Sequence, residues 1–162
     1  LTGNIFRTPV VMNKNIKINQ EDGKLFMMLE KGKSYEESAL LNLGVKKQDY
    51  YINFNLMKII DRLGCNDQGL IEKLDDDRLI DPVYLTTMKD PMILPSTHSY
   101  SRETIEGLIH SGRTLKCPNT NQPFNKDDVV PNIALDRFLK AWPECREKLL
   151  ESFETSNQKR KM

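Results

Sequence analysis

Cysteine and histidine are scarce in this chain. There are three cysteines, Cys65, Cys117 and Cys145, and two histidines, His98 and His110. No two of the five form a close pair that could seed a tetrahedral metal site, so no metal and no cofactor is implied. An odd, scattered set of thiols also argues against a disulfide framework and for a reducing compartment. Neither sign of charge is in excess. The net charge is +1 and both halves are balanced, which leaves no broad field for nucleic acid or an anionic membrane. Aromatic and basic residues do not interleave, and "QKRK" near the end reads as a solvated terminus. No apolar run approaches the length needed to cross a bilayer. The chain as written starts at Leu1 rather than Met and shows no secretory-leader pattern in its first residues. The turn-rich stretch from Asp81 to Ile105 holds one histidine, no cysteine and nothing that resembles a nucleophile beside its base.

What is present is an internal repeat. "IFRTPVVM" (Ile5 to Met12) matches "TMKDPMIL" (Thr87 to Leu94), with Phe6 opposite Met88, Arg7 opposite Lys89 and Pro9 opposite Pro91. "KKQDYYINFNLMKII" (Lys46 to Ile60) matches "NKDDVVPNIALDRFL" (Asn125 to Leu139), with Asp49 opposite Asp128, Asn53 opposite Asn132 and Leu56 opposite Leu135. Two matches in the same order at nearly the same spacing predict two copies of one small fold. These divide the chain into a first copy (residues 1–63), a charged connector (64–79), a second copy (80–142) and a C-terminal helical extension with a tail (143–162). In the connector "CNDQGLIEKLDDDRLI", Leu70, Ile71 and Leu74 fall on one helical face.

The second copy can be read element by element. "PMIL" is a short apolar run bounded by prolines, hence a strand. "PSTHS" is a turn, and Ser101 is placed to cap a helix on which Ile105, Leu108 and Ile109 recur at helical spacing up to Gly112. "LKCPNTNQPF" is a proline-held loop. Asn132 caps the next helix, and Pro143 ends or kinks it before a further helical piece. The tail "TSNQKRKM" reads as disordered. A core of some 60 residues is marginal and needs staples. With no disulfide or metal, the polar residues Asp90, Ser96, Arg102, Thr120, Gln122 and Asn132 are expected to form the hydrogen-bond network that holds the loops.

The segment Asp81 to Ala141 resembles the U-box, the zinc-free relative of the RING finger. The resemblance rests on "DPVYLTTMKDPMILPSTHSYSRETIEGLI", "CPNTNQPF" and "VVPNIALDRFL" in order. It implies an α+β fold of two RING-like modules, each with short antiparallel strands, a central helix and a C-terminal helix. It also implies a function without catalytic residues of its own, that of an E3 ubiquitin ligase. The module docks a ubiquitin-conjugating enzyme (E2) carrying ubiquitin and promotes transfer to a lysine of a protein substrate. Carried over, the docking residues are Val83 and Leu85 in the first loop, Leu108 on the central helix and Pro118 in the second loop. Family members often place an Arg, contacting both the conjugating enzyme and ubiquitin, where this chain has Asn121. That substitution implies a weaker ligase.

The first copy departs further. Leu1 falls opposite Val83 and Gly3 opposite Leu85. "MNKNIKI" replaces "LPSTHSY", and "SYEESALLNLG" stands where the second loop would be. It reads as a degenerate copy that binds substrate or stabilises its neighbour. Tandem modules with one altered copy resemble ligases that intracellular bacteria deliver into host cells. The implied setting is cytoplasmic, in the host if the chain is such an effector. The alternative is a non-catalytic protein-interaction module built from two such folds. Some members of the family form homodimers, and the sequence leaves the oligomeric state open.

Overall fold

The computed structural model describes residues 8–161, with side chains through residue 156. The first-copy positions Leu1, Gly3, Phe6 and Arg7 lie outside the described residues. The first half is built on an antiparallel sheet with β1 (Pro9–Met12) at its centre, flanked by β4 (Ser34–Glu36) and β5 (Tyr50–Ile52). A separate hairpin, β2 (Ile16–Asn19) and β3 (Leu25–Leu29), projects from it. Helix α1 (Glu37–Asn42) and a 3-10 turn (Lys47–Asp49) precede β5, and α2 (Phe54–Gly64) follows it. The connector forms two short helices, α3 (Gln68–Glu72) and α4 (Leu74–Asp77). The second half opens with the hairpin β6 (Ile80–Asp81) and β7 (Thr86–Thr87). Its main sheet has β8 (Met92–Ile93) between β9 (Ser99–Tyr100) and β10 (Val130–Pro131), with α5 (Arg102–His110) after β9. Helix α6 (Ile133–Lys161) closes the chain.

The two halves thus share an order of elements, but not as the sequence aligns them. "SYEESALLNLG" is not a replaced second loop. Its Ser34 and Tyr35 pair with β1 and its remainder becomes α1, so it stands where Ser99, Tyr100 and α5 stand in the second half. The residues after Met12 form the β2–β3 hairpin instead of a turn. Ile16 and Ile18 alternate with Lys17 and Asn19, the period-2 pattern of a half-buried strand. Gly23 supplies the positive φ of +81° at the tip. Past α1 the chain runs through Gly44 straight to the 3-10 turn, so the first half has no counterpart of the second loop.

The connector is not an outlying tether. Ile71 and Leu74 are buried, with Leu70 left half-exposed, and they join Ile59, Leu79, Met88, Leu135 and Trp142 in one cluster. That cluster draws on the first half, the connector and the second half. At roughly 1.5–3 kcal/mol per buried large apolar side chain, the pooled core supplies what neither half could alone.

Pro143 neither ends α6 nor leaves a second helix behind it, and the expected loose tail continues the same helix to Lys161. Proline removes one helical hydrogen bond, but tertiary contacts clamp the residues around it. The Trp142 Nε1–H donates to Asp75 Oδ1 at 2.9 Å and Arg146 Nε pairs with Asp75 Oδ2 at 2.9 Å. Phe138 stacks on Trp142 with ring centroids 5.4 Å apart.

The halves meet across a pair of equivalent asparagines. Asn53 Nδ2 donates to Asn132 Oδ1 at 2.8 Å, and Asn132 Nδ2 donates to Asn53 Oδ1 at 2.9 Å. Both side chains are fully buried. Each also caps its own helix, accepting from Leu56 N at 3.4 Å and Leu135 N at 3.2 Å. Their own amides donate to Pro9 O and Pro91 O, both at 2.8 Å. Val11, Ile93, Val130 and Tyr51 form a small apolar cluster shared by the two halves, and Tyr51 Oη donates to Asp128 O at 2.8 Å. Truncating either asparagine leaves a buried amide unpaired. Asn53→Ala and Asn132→Ala are each expected to lower the unfolding free energy by about 1–3 kcal/mol. In urea titrations the double variant should lose less than the two single losses combined. Additive losses would show that the side chains act independently.

Candidate functional site

Two loops of the second half project side by side, and a small number of buried polar groups fix them. The first loop begins at Asp81, which is fully buried although ionisable. Its Oδ1 accepts from the amides of Val83 (2.7 Å) and Tyr84 (3.3 Å). Its Oδ2 accepts from the Ser101 amide (2.9 Å) and the Thr104 hydroxyl (2.7 Å). A carboxylate is stable in such a place only with its lone pairs filled. Asp81 therefore ties the loop to the start of α5, and its own carbonyl accepts the Leu85 amide at 2.8 Å. Ser101 is not the side-chain cap that the sequence suggests. Its hydroxyl accepts the Lys89 amide at 3.0 Å, while the Arg102 amide at the start of α5 donates to Lys89 O at 3.2 Å.

The second loop is a tight turn. The Cys117 amide donates to Gln122 O at 2.9 Å, the Asn121 amide to Cys117 O at 2.7 Å and the Phe124 amide to Leu115 O at 3.1 Å. Buried Tyr100 anchors it from below. The Tyr100 hydroxyl accepts the Asn119 amide at 3.1 Å and lies 3.1 Å from Cys117 Sγ. Burial, with the neighbouring Cys117, holds the Tyr100 phenol far above its ordinary pKa, so it stays neutral.

Of the six residues expected to form the loop network, Asn132 and Thr120 bond through their side chains. Thr120 Oγ1 accepts the Gln122 amide at 3.2 Å. Arg102 and Gln122 contribute main-chain bonds. The Ser96 hydroxyl is buried beside the Cys117 thiol. Asp90 supplies a positive φ of +48°, and its carboxylate makes no hydrogen bond among the described residues. Asp81, Ser99, Tyr100, Thr104 and Asn53 carry the rest. An Asp directly before a proline-bearing loop is a local turn signal that could have singled out Asp81.

The surface these loops present is apolar. Val83 is 46% exposed, Tyr84 52% and Leu85 71%. Leu85 also adopts φ +59°, a region where a bulky side chain is strained by about 1–2 kcal/mol. Leu85 is thus held in an unfavourable backbone conformation with most of its side chain in water. Tyr84, which the sequence does not single out, has its hydroxyl over Gly107 of α5. Leu108 is half-buried and packs on the cluster of Leu94, Tyr100, Ile105, Cys117 and Phe124. Pro118 and Asn121 are exposed in the second loop. Asn121 has φ +60°, and Asn tolerates this conformation better than most residues. One groove brings Pro82 and Leu85 of the first loop together with Asn119 of the second. On the other side of Leu85 lies a larger groove of about 990 Å³, where Asp75, Asp76, Asp90, Glu103 and Glu106 outnumber Lys89 and Arg102. No cysteine lies exposed on this surface, since Cys117 is buried beneath it and Cys65 and Cys145 sit at the end of α2 and on α6.

Asp81→Asn keeps the size of the side chain and turns one acceptor atom into a donor facing donors. It should cost about 1–3 kcal/mol of stability and speed amide exchange at Val83, Tyr84 and Leu85. Unchanged protection of those amides would show that something other than Asp81 holds the loop.

Residues 76–148 match the family model described as the U-box domain. The E3 ubiquitin-protein ligase PUB22 of Arabidopsis thaliana is 39% identical over 61 residues, 38% of this chain and 14% of that protein. The E3 ubiquitin-protein ligase PUB23 of the same plant is 36% identical over 61 residues, 38% of this chain and 15% of that protein. The human WD repeat, SAM and U-box domain-containing protein 1 is 26% identical over 132 residues, 82% of this chain and 26% of that protein. The chain thus spans a small fraction of the length of the curated relatives it matches. It is a mixed α/β protein whose second half is similar to the U-box domain.

Proposed function

We propose that the chain is an E3 ubiquitin ligase that acts as a scaffold. In this reading a ubiquitin-conjugating enzyme rests on Val83, Tyr84, Leu85 and Pro118, and Leu108 supports the platform from α5. The reaction takes place on that partner. A substrate lysine amine attacks the thioester carbonyl of the bound ubiquitin. The C–N bond forms, the C–S bond breaks, the thiolate stays with the conjugating enzyme and the amine releases its proton. The chain contributes position and no covalent intermediate.

The observation that carries the reading is Leu85, strained and 71% exposed, on a segment that matches the U-box and relatives bearing the name E3 ubiquitin-protein ligase. We read the first half as a diverged copy of the same module. The shared order of elements and the Asn53–Asn132 pair support this, and the missing second loop accounts for the lost docking surface. The first half then holds substrate or braces its neighbour. The alternative, a binding module that moves no ubiquitin, is favoured by one residue, Asn121, which lacks the guanidinium fork of the arginine common at that position in the family.

Reconstitution with activating enzyme, ubiquitin and a panel of conjugating enzymes tests both readings. Leu85→Ala and Pro118→Ala are each expected to reduce ubiquitin-chain formation at least about tenfold, since either removes an apolar contact near 1.5–3 kcal/mol. A panel in which no conjugating enzyme binds or discharges supports the binding-module alternative.

Asn121→Arg separates a weak ligase from an inactive one. The left-handed backbone there penalises Arg by about 1 kcal/mol, a small part of a typical folding margin. The variant is expected to discharge ubiquitin from the loaded enzyme several-fold faster. An equal or slower rate would remove Asn121 as the limiting residue.

A further inference from the structure

Beside Leu85 lies a groove of about 240 Å³ that neither half forms alone. Phe54 and Lys58 of α2 make one wall, Leu85, His98 and Asn119 of the second half make the other, and Asp77 and Arg78 of the connector line it too. Contacts from both sides hold it in shape. The Phe54 and His98 rings lie 4.7 Å apart, Asn55 Oδ1 accepts the Ser99 amide at 2.8 Å, and the Asn119 side-chain Nδ2 is 3.3 Å from His98 Nδ1.

The charges in the groove are unequally engaged. The Asp77 carboxylate accepts both Arg62 guanidinium nitrogens, at 3.2 and 3.1 Å. Lys58 and Arg78 have no carboxylate partner among the described residues. The Lys58 ammonium lies 5.4 Å from the centroid of the Phe54 ring, a contact that steadies the chain without neutralising it. Burial holds the His98 imidazole below its ordinary pKa, so at neutral pH it adds no charge to offset or reinforce the two cations. With Asp77 neutralised by Arg62, the groove is cationic. It is continuous with the proposed platform through Leu85 and Asn119.

We propose that this groove is the second half of the docking surface: Lys58 and Arg78 receive a carboxylate of the conjugating enzyme seated on Leu85, and the first half thereby selects which conjugating enzyme is used. The inference rests on the ligase reading, and it assigns α2, which lies outside residues 76–148, a role in partner choice. The occupant it fits carries an Asp or Glu beside its apolar docking side chain. An enzyme with a Lys or Arg there would face like charge, which suppresses a wrong partner more strongly than a good contact favours the right one.

The test uses the full chain and a panel of purified conjugating enzymes, with affinity measured by calorimetry at low and high salt. Lys58→Glu and Arg78→Gln are each expected to weaken the preferred enzymes by about three- to tenfold, to flatten the salt dependence and to narrow the ranking across the panel. Replacing the facing carboxylate of the preferred enzyme with Lys should restore binding to Lys58→Glu. Leu85→Ala should weaken every member. If Leu85→Ala weakens binding while both charge variants keep wild-type affinity and ranking, the selection role of α2 is overturned and the ligase reading stands. If Leu85→Ala changes nothing, both fall. Arg78 is exposed on the connector, so its variant remains informative should Lys58→Glu disturb the packing of Phe54.

Discussion

Three consecutive residues, Ser99 to Ser101, carry the constraint on which the rest of this structure turns. All three are buried, and buried polar groups must find partners. Ser99 turns toward the first half, its hydroxyl accepting from Asn132 Nδ2 at 2.8 Å and its amide donating to Asn55 Oδ1. Tyr100 points the other way and holds the second loop through Asn119 and Cys117. Ser101 donates its amide to Asp81, and its hydroxyl accepts the Lys89 amide, fixing the first loop. A strand sends neighbouring side chains to opposite faces. One short strand and its flanking residue can therefore serve the interface and both loops at once.

This arrangement explains how two small halves manage without disulfides. Their loops are long and their strands are only two to five residues long, so backbone pairing alone would leave many donors and acceptors unfilled. Side chains of modest size fill them: a carboxylate under the first loop, a phenol under the second and two amides between the halves. The apolar contribution is pooled in the cluster around Ile59, Ile71, Leu135 and Trp142. Stability and site geometry accordingly draw on the same residues.

Much of this was legible in the sequence, and the failures have physical causes. The spacing of 79 residues pairs Asn53 with Asn132 on paper, but equivalence in a repeat says nothing about contact, so their hydrogen bonds could not be read. The β2–β3 hairpin was hidden because a template with a turn was laid over "MNKNIKI", although the alternation of Ile16 and Ile18 already signalled a strand. Pro143 carries a strong local signal to stop a helix. Asp75, distant in sequence, overrode it by binding Trp142 and Arg146 on either side. The Asp-Pro pair marks Asp81 as a turn residue, but its burial under Ser101 and Thr104 depends on residues some twenty positions away and has no local signature. The exposure of Val83 and Leu85 was readable, since apolar residues in a proline-flanked loop have little core to enter.

The paired asparagines have a consequence for how the chain is made. Ribosomes deliver residues in order, and the N-terminal half emerges first. Until residue 132 leaves the exit tunnel, the Asn53 side-chain amide has only water in place of Asn132, Val11 lacks Ile93 and Val130, and Ile59 lacks Leu135 and Trp142. The nascent half therefore lacks these partners until the second half arrives, and the last long helix brings Leu135 and Trp142 onto Ile59 to complete the shared core.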